Sequence, residues 1–498
     1  MTSSLRRPRV LVIGAGFGGL AAAHELSRDG LAHVTVLEQA ADIGGVWREN
    51  TYPGAACDVP SNLYSYSFAR KTDWGRRYAE QPDILGYIHD TADRFGLRGL
   101  VRTGVEVASA TYDDSTATWR VATSGGDVYE AEVLVPAVGQ LSRPALPAIP
   151  GLDTFAGPSF HSAQWRHDVD LAGKRVAVLG TGASAIQFVP RIRETARHVT
   201  VFQRSAPYVV PKPDRAYTGA HHVAFRRVPG FAAAMRTLIW EISEFFGLAL
   251  TRVAPLAQLI GVAASLNLKR HIKDPVLRAK LTPDYQIGCK RVLFSSEWYP
   301  ALARENVSVE TAAITEVTPT GVRTADGRLH EVDVIVYGTG FKATEFLAPM
   351  TITGRDGRDL HDQWAEGARA HLGMAVPGFP NMFLIYGPNT NLGTSSIILM
   401  MEQQARYIRQ LTEELARGGV ARAFEVRREV EQAYDEDVQS RLDRGVWTTC
   451  QSWYRTASGR VTTNWPGLVH EYQRRTTDVV LADYIEVRPR SAAEAVGA

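Results

Sequence analysis

The chain has 498 residues, 45% of them hydrophobic, which allows two to four domains with buried cores at about 150 residues each. Its 55 basic and 53 acidic residues leave a formal net charge of +2, so there is no electrostatic case for nucleic-acid binding. Three widely spaced cysteines, Cys57, Cys289 and Cys450, make neither a CxxC redox pair nor a zinc pattern; no metal site is expected, and their scarcity fits a reducing cytosol.

In chain order, the first element is an apolar strand, Val10 to Ile13. Arg6 and Arg7 before it superficially suggest an export signal, but the stretch runs directly into a glycine turn, Gly14, Gly16 and Gly19. A helical pattern and a second strand, Val34 to Leu37, follow and end at Glu38. The same pattern returns as Val176 to Leu179, then Gly180, Gly182 and Ala185, then Val199 to Phe202 and on to Arg204. In both copies 24 residues separate the first glycine from the residue that closes the second strand. One GxGxxG is weak evidence for a nucleotide site, but two copies at one spacing are strong evidence.

The glycines let the chain turn from strand to helix and bring backbone N–H groups onto a pyrophosphate at the positive helix end. A carboxylate at Glu38 accepts hydrogen bonds from a ribose diol and suits FAD or NAD. Arg204 cannot accept them but pairs with a phosphate on the ribose, so the second site reads as one for NADPH.

Each motif leads into short strands and a return strand. After the first come Val105 to Tyr112, Thr118 to Val121, and Val133 to Val135 leading to Gly139. After the second come Val307 to Val309, Gly321 to Thr324, an Asp326-Gly327 turn, and Val332 to Val336 leading to Gly338-Thr339-Gly340. Pro144, Pro147 and Pro150 punctuate the crossing between lobes. Beyond Gly340 the chain is expected to return to the first lobe through a strand, Asn381 to Ile385. A helix starting near Ser395 would then aim its N-terminus at that lobe's ligand.

The fold class is therefore α/β, with two Rossmann-like dinucleotide-binding domains and a helical insertion in the second. The expected division assigns 1–145 and 340–498 to an FAD-binding domain and 151–213 and 285–339 to an NADPH-binding domain. A helical insertion at 214–284 would carry Trp240, Phe245, Phe246 and Leu248 to one pocket wall. The apolar stretch Val253 to Leu268 falls short of the ~20 residues of a spanning helix, contains Pro255, and reads as a buried helix, with contact to a membrane surface as the alternative.

Two longer signatures carry a resemblance. Phe155, Gly157, His161 and Trp165 fit FxGxxxHxxxW, and residues 44 to 58, with Gly44, Gly45, Trp47, Tyr52, Pro53, Gly54 and Asp58, fit GGxWxxxx(F/Y)P(G/M)xxxD. The chain resembles the type I Baeyer–Villiger monooxygenases; flavin-containing monooxygenases generally have Tyr or Phe where Trp165 stands. Arg166 departs from the family's usual Pro or Asp. As bare sequence, His161 beside a linker is more often structural than catalytic, Asp58 could be a loop cap, and Lys290-Arg291 could be a solvated pair.

The resemblance implies FAD and NADPH as cofactors, dioxygen and a small-molecule ketone as substrates, and an ester or lactone as product by way of a flavin peroxide. It implies Arg291 as the group facing the reactive side of the flavin, with Asp58 orienting it. Gly45, Trp47, Tyr64, Val105, Gln140 and Leu392 would lie at FAD, and Thr181, Ser184, Ser205 and Lys290 at NADPH beside Arg204. Trp453 is either a neighbour of NADPH or a packed surface aromatic. Other readings are a flavin monooxygenase acting on sulfur or nitrogen, and a non-catalytic redox-sensing flavoprotein.

Overall fold

The computed structural model describes residues 6–252, 254–418, 422–450, 452 and 454–490. Trp453 lies outside them.

Two parallel sheets organise the chain. In the first, Val101–Thr103, His33–Glu38, Arg9–Ile13 and Val133–Pro136 lie side by side in that order. Their near-continuous Val, Leu and Ile runs suit strands covered on both faces. The helix Phe17–Ser27 covers one face and packs on the long helix Ile397–Arg417. In the second sheet the order is Val307–Glu310, His198–Phe202, Arg175–Leu179, Val334–Tyr337 and Ser159–His161, again all parallel. In both, the second and the return strands flank the first strand on opposite sides. The connections therefore diverge above its C-terminal end and open the crevice where α/β folds bind ligands.

In each lobe antiparallel strands are inserted before the return strand: Val107–Asp113, Thr118–Thr123 and Val128–Ala131 in the first, and Ile314–Thr318, Gly321–Thr324 and Leu329–Glu331 in the second. The crossings between lobes run together, with Ala145 N–H donating to Gly340 O (2.9 Å) and Lys342 N–H to Arg143 O (2.9 Å).

Three expectations are corrected. The segment Asn381 to Ile385 does return to the first lobe, where Phe383 N–H donates to Leu134 O (2.9 Å) and Ile385 N–H to Pro136 O (2.9 Å). It forms isolated bridges rather than a continuous strand, because Asn381 (φ 53°) and Tyr386 (φ 61°) take left-handed conformations at its ends. Second, Cys289 and Cys450, 161 residues apart, form a disulfide, leaving Cys57 free and buried. Their spacing gave no hint of this, because separation along the chain does not report proximity in the fold.

Third, the stretch read as a buried helix, of which Val253 lies outside the described residues, is over 254–268 a helix with most of its surface exposed. The helices here are Gly219–Arg227, Phe231–Thr251, Ala254–His271 and Pro275–Lys280, the last capped by Asp274 accepting from Val276 N–H and Leu277 N–H. Within Ala254–His271, Ala257, Ala264 and Leu268 are buried, but Leu259 is 65% exposed and Leu266 61%. Among the described residues no single helix is long and apolar enough to cross a membrane.

Candidate functional site

The first glycine turn is built by close approach. Gly14 has φ +100°, and a Cβ there would lie 2.8 Å from Ala137 O, on the loop after the return strand. A Cβ on Gly19 would run into Gly14 O, so only glycine lets the helix seat on the turn. Gly16 faces Gly45, whose Cβ would lie 3.0 Å from Gly16 Cα. Two bare backbones thus form a slot at the uncapped N-terminus of Phe17–Ser27, where free N–H groups can meet an anionic chain. Glu38 is 6% exposed, and its carboxylate accepts from Ala15 N–H (2.7 Å) and Ala40 N–H (2.9 Å), which leaves lone pairs on both oxygens for a diol.

From this slot runs a cavity of about 560 Å³. Gly14, Gly16, Glu38, Gly45, Trp47, Asp58, Tyr64, Val105, Gln140 and Leu392 line it, and Gly19 stands behind its wall. The second lobe contributes Ser184 and Arg291. Trp47 gives a flat apolar wall, steadied by its Nε1–H donating to Tyr64 Oη (3.1 Å). Gln140 Nε2 donates to Tyr386 O (3.0 Å) and Gly387 O (3.1 Å), while its buried Oε1 and the buried Ser395 and Ser396 hydroxyls have no protein partner. The helix Ile397–Arg417 begins at this cavity, as expected. A pyrophosphate slot, a diol acceptor, a flat apolar wall and waiting polar atoms fit FAD.

Arg291 and Asp58, 233 positions apart, meet across the lobes, with Arg291 Nη2 donating to both Asp58 oxygens at 2.8 Å. The Asp58 charge holds the guanidinium pKa above its usual value against the opposing effect of burial. Arg291 Nε is buried without a protein partner. Tyr386 and Tyr454 stand near it; burial raises both hydroxyl pKa values, that of Tyr454 to about 12, so both stay protonated. Burial likewise lifts the Cys57 thiol to about 12, which leaves it inert near neutral pH.

The second glycine turn repeats the first. Gly180 has φ +110° and no room for a Cβ against Gly338 O, and Ala185, fully buried, opens the helix Ala185–Ile192. Gly180, Thr181, Gly182, Arg204, Ser205 and Lys290 lie outside the cavity lining and form a second group. Lys290 Nζ donates to Ser205 Oγ (2.9 Å) and sits 4.5 Å from the Tyr285 ring centroid, while Thr181 Oγ1 donates to Ser205 O (3.3 Å). Arg204 is exposed beside them, and among the described residues neither cation is in a salt bridge with a carboxylate. Burial and then the charge of Arg204 lower the Lys290 pKa. Two cations outside any carboxylate salt bridge among the described residues, with a hydroxyl, make an anion site, which fits the extra phosphate of NADPH.

The four fingerprint residues lie apart from the cavity lining. His161 ends the edge strand of the second sheet, takes a hydrogen bond from Ala163 N–H at Nδ1 (3.2 Å), and packs edge-on to Phe341 where the chain crosses back. Burial lowers its pKa, so it is neutral near pH 7. Gly157 leaves no room for a Cβ against Asp333 O, Phe155 packs with the second-lobe core, and Trp165 lies between Phe160 and Phe188. These contacts hold the interlobe crossing in place.

Sequence reasoning missed several residues. Tyr386 Oη donates to Asn391 Oδ1 (2.7 Å), and Asn391 Nδ2 to Asn464 Oδ1 (2.8 Å), fixing the loop beside Leu392. Gln187 accepts from Tyr52 Oη (2.9 Å) and donates to Ala56 O (2.9 Å), tying the second-lobe helix to the loop that carries Asp58. Tyr386 directly precedes the Gly387-Pro388 turn, and that was the one available signal. Trp240, Phe245, Phe246 and Leu248, in contrast, do not line the cavity. Their helix turns Arg236, Ser243 and Glu244 inward, which sends Phe245 and Phe246 to the surface, and Trp240 stacks on His470.

Comparison with known proteins agrees with this geometry. A family model described as flavin-binding monooxygenase-like matches residues 7–231. The chain is 46% identical over 486 residues to a Baeyer–Villiger monooxygenase of Streptomyces coelicolor, covering 97% of this chain and 93% of that protein. Among solved structures it is similar to OTEMO in complex with FAD and NADP (TM-score 0.88, 28% identity, 97% of this chain, 100% of that one). It is equally similar to cyclohexanone monooxygenase from Rhodococcus bound to NADP+ (TM-score 0.88, 30% identity, 97% of this chain, 100% of that one).

Proposed function

The chain belongs to the Baeyer–Villiger monooxygenases, enzymes that use FAD and NADPH to insert one oxygen atom of dioxygen beside a carbonyl, and on that premise we propose which of its residues do the work and that its substrate is a ketone. FAD held in this cavity would, with NADPH as reductant, supply the activation of dioxygen. The glycine slot and Glu38 hold the pyrophosphate and ribose of FAD, and Trp47 and Tyr64 wall the ring and exclude water. Arg291 presents its guanidinium to the negative charge that develops on the substrate carbonyl oxygen. Asp58 fixes its direction and keeps the site less repulsive to an oxidised nicotinamide.

The observation that carries this reading is the two-pronged Asp58–Arg291 pair, one partner from each lobe, lining the cavity that begins at the FAD slot. A panel of cyclic, aromatic and linear ketones incubated with NADPH is expected to give products heavier by one oxygen atom, as esters or lactones. Sulfoxidation without any ketone conversion would overturn it, and slow NADPH consumption indifferent to substrate would favour the sensor reading.

The FAD-binding role falls to residues 1–145 and 340–498, and the NADPH-binding role to 151–213 and 285–339, with Arg204, Ser205 and Lys290 taking the ribose phosphate. Arg204→Ala is expected to raise KM for NADPH by about tenfold or more, the loss of a charge-assisted contact of about 1.5–3 kcal/mol, with KM for NADH little changed. Equal use of both coenzymes by the unmodified protein would contradict the assignment. Lys290 binds phosphate only while protonated, and burial beside Arg204 favours its neutral form. KM for NADPH is therefore expected to rise with pH at values below the ordinary lysine range, and Lys290→Arg should flatten that rise. The protein works in the cytoplasm in this reading, where NADPH is regenerated.

A further inference from the structure

The helix Phe231–Thr251 is oriented against the usual sense of burial. Its protein-facing side holds Arg236, Ser243 and Glu244 along with Ile239 and Ala249. Arg236 Nη1 donates to Asn62 O (3.0 Å) and Leu63 O (3.1 Å), and Glu244 Oε1 accepts from Val469 N–H (3.2 Å). Its outward side carries Leu238, Ile242, Phe245 and Phe246, at the spacing of one helical stripe, with Phe245 55% exposed. The next helix, bent 99° from the first, continues the pattern with Leu259, Val262 and Leu266 outward. Single exposed apolar residues need no explanation, but seven large ones in two stripes on consecutive helices mark an interaction surface.

Charge selects the partner. Residues 219–280 hold nine Lys and Arg against three Asp and Glu, in a chain that is otherwise nearly balanced. The Leu259-Val262-Leu266 stripe runs on at the same spacing into Lys269, and Lys273 follows just past the helix end; these two, with Arg227 and Arg270, are exposed and, among the described residues, in no salt bridge with a carboxylate. A second copy docking through this face would bring two basic surfaces together. An anionic bilayer offers hydrocarbon for the Phe and Leu stripe and phosphate for the lysines.

We propose that the helices Phe231–Thr251 and Ala254–His271 form a peripheral docking surface for anionic lipid bilayers. The inner side of the first abuts the cavity wall: a Cβ on Gly247 would lie 2.9 Å from Thr394 Oγ1, two residues after Leu392. A docked enzyme would hold its cavity within a helix's width of a phase in which apolar ketones concentrate.

The test is co-sedimentation of the FAD-loaded enzyme with vesicles of phosphatidylcholine alone or of phosphatidylcholine mixed with phosphatidylglycerol. Binding is expected to the mixed vesicles and not to the neutral ones, and to weaken in high salt. Phe245→Ser with Phe246→Ser, and separately Lys269→Glu with Lys273→Glu, should each lower partitioning by about tenfold or more, with FAD absorbance and solution size retained. Should the first pair misfold, Leu259→Ser with Leu266→Ser tests the same stripe. The proposal fails if the unmodified enzyme stays in the supernatant, binds neutral vesicles equally well, or is matched by folded variants. It fails equally if the face proves to be a dimer interface that Phe245→Ser with Phe246→Ser dissolves without any vesicle binding.

Discussion

Arg291→Ala is expected to bind FAD normally and to form ester about 10²–10³-fold more slowly, the usual cost of removing one preorganised donor from a site of developing charge. FAD should survive because its slot is made of first-lobe backbone and Glu38, none of which touches Arg291. Loss of the guanidinium also leaves Asp58 without its 2.8 Å partner, a negative charge placed where further charge must develop. Arg291→Lys should recover little, since an ammonium lacks the planar fork that can hold Asp58 and still present N–H groups to the cavity. The measurement is ester formation per FAD under saturating NADPH, alongside the flavin spectrum of the purified variant. An FAD-loaded Arg291→Ala enzyme working at the unmodified rate would remove Arg291 from the chemistry.

The second large effect is on the cofactor itself. Gly19→Ala places a methyl group against Gly14 O, a backbone atom with nowhere to move, so the helix Phe17–Ser27 must shift off the turn. The variant is expected to purify largely free of FAD, read from the ratio of visible to ultraviolet absorbance. It should also melt at lower temperature, because a ligand present at about 100 times its Kd stabilises the folded state by about 2.7 kcal/mol. Gly16→Ala is the informative contrast: the nearest atom to its Cβ is Gly45 Cα at 3.5 Å, an ordinary contact, so loss of FAD there would reflect obstruction of the slot rather than a displaced helix.

What the sequence determined alone was local. A strand that must turn sharply into a helix needs glycine where φ is positive or where another backbone comes close, and both requirements are met at Gly14 and Gly180, which is why these two turns could be read directly. The long signatures through Asp58 and Trp165 carried the family in the same way. The resemblance also put Asp58 with Arg291, and the tertiary structure supplied that pair's geometry across 233 positions; the tertiary structure alone decided what else depends on distant segments meeting: Cys289 with Cys450, Tyr386 and Tyr454 beside the guanidinium, and Gln187 across the lobe boundary. The helix Phe231–Thr251 shows the reason most clearly. Its aromatic residues read as a pocket wall, but the side that faces inward carries Arg236 and Glu244, which find hydrogen-bond partners on segments far away in the chain, and no spacing along one helix reports such partners.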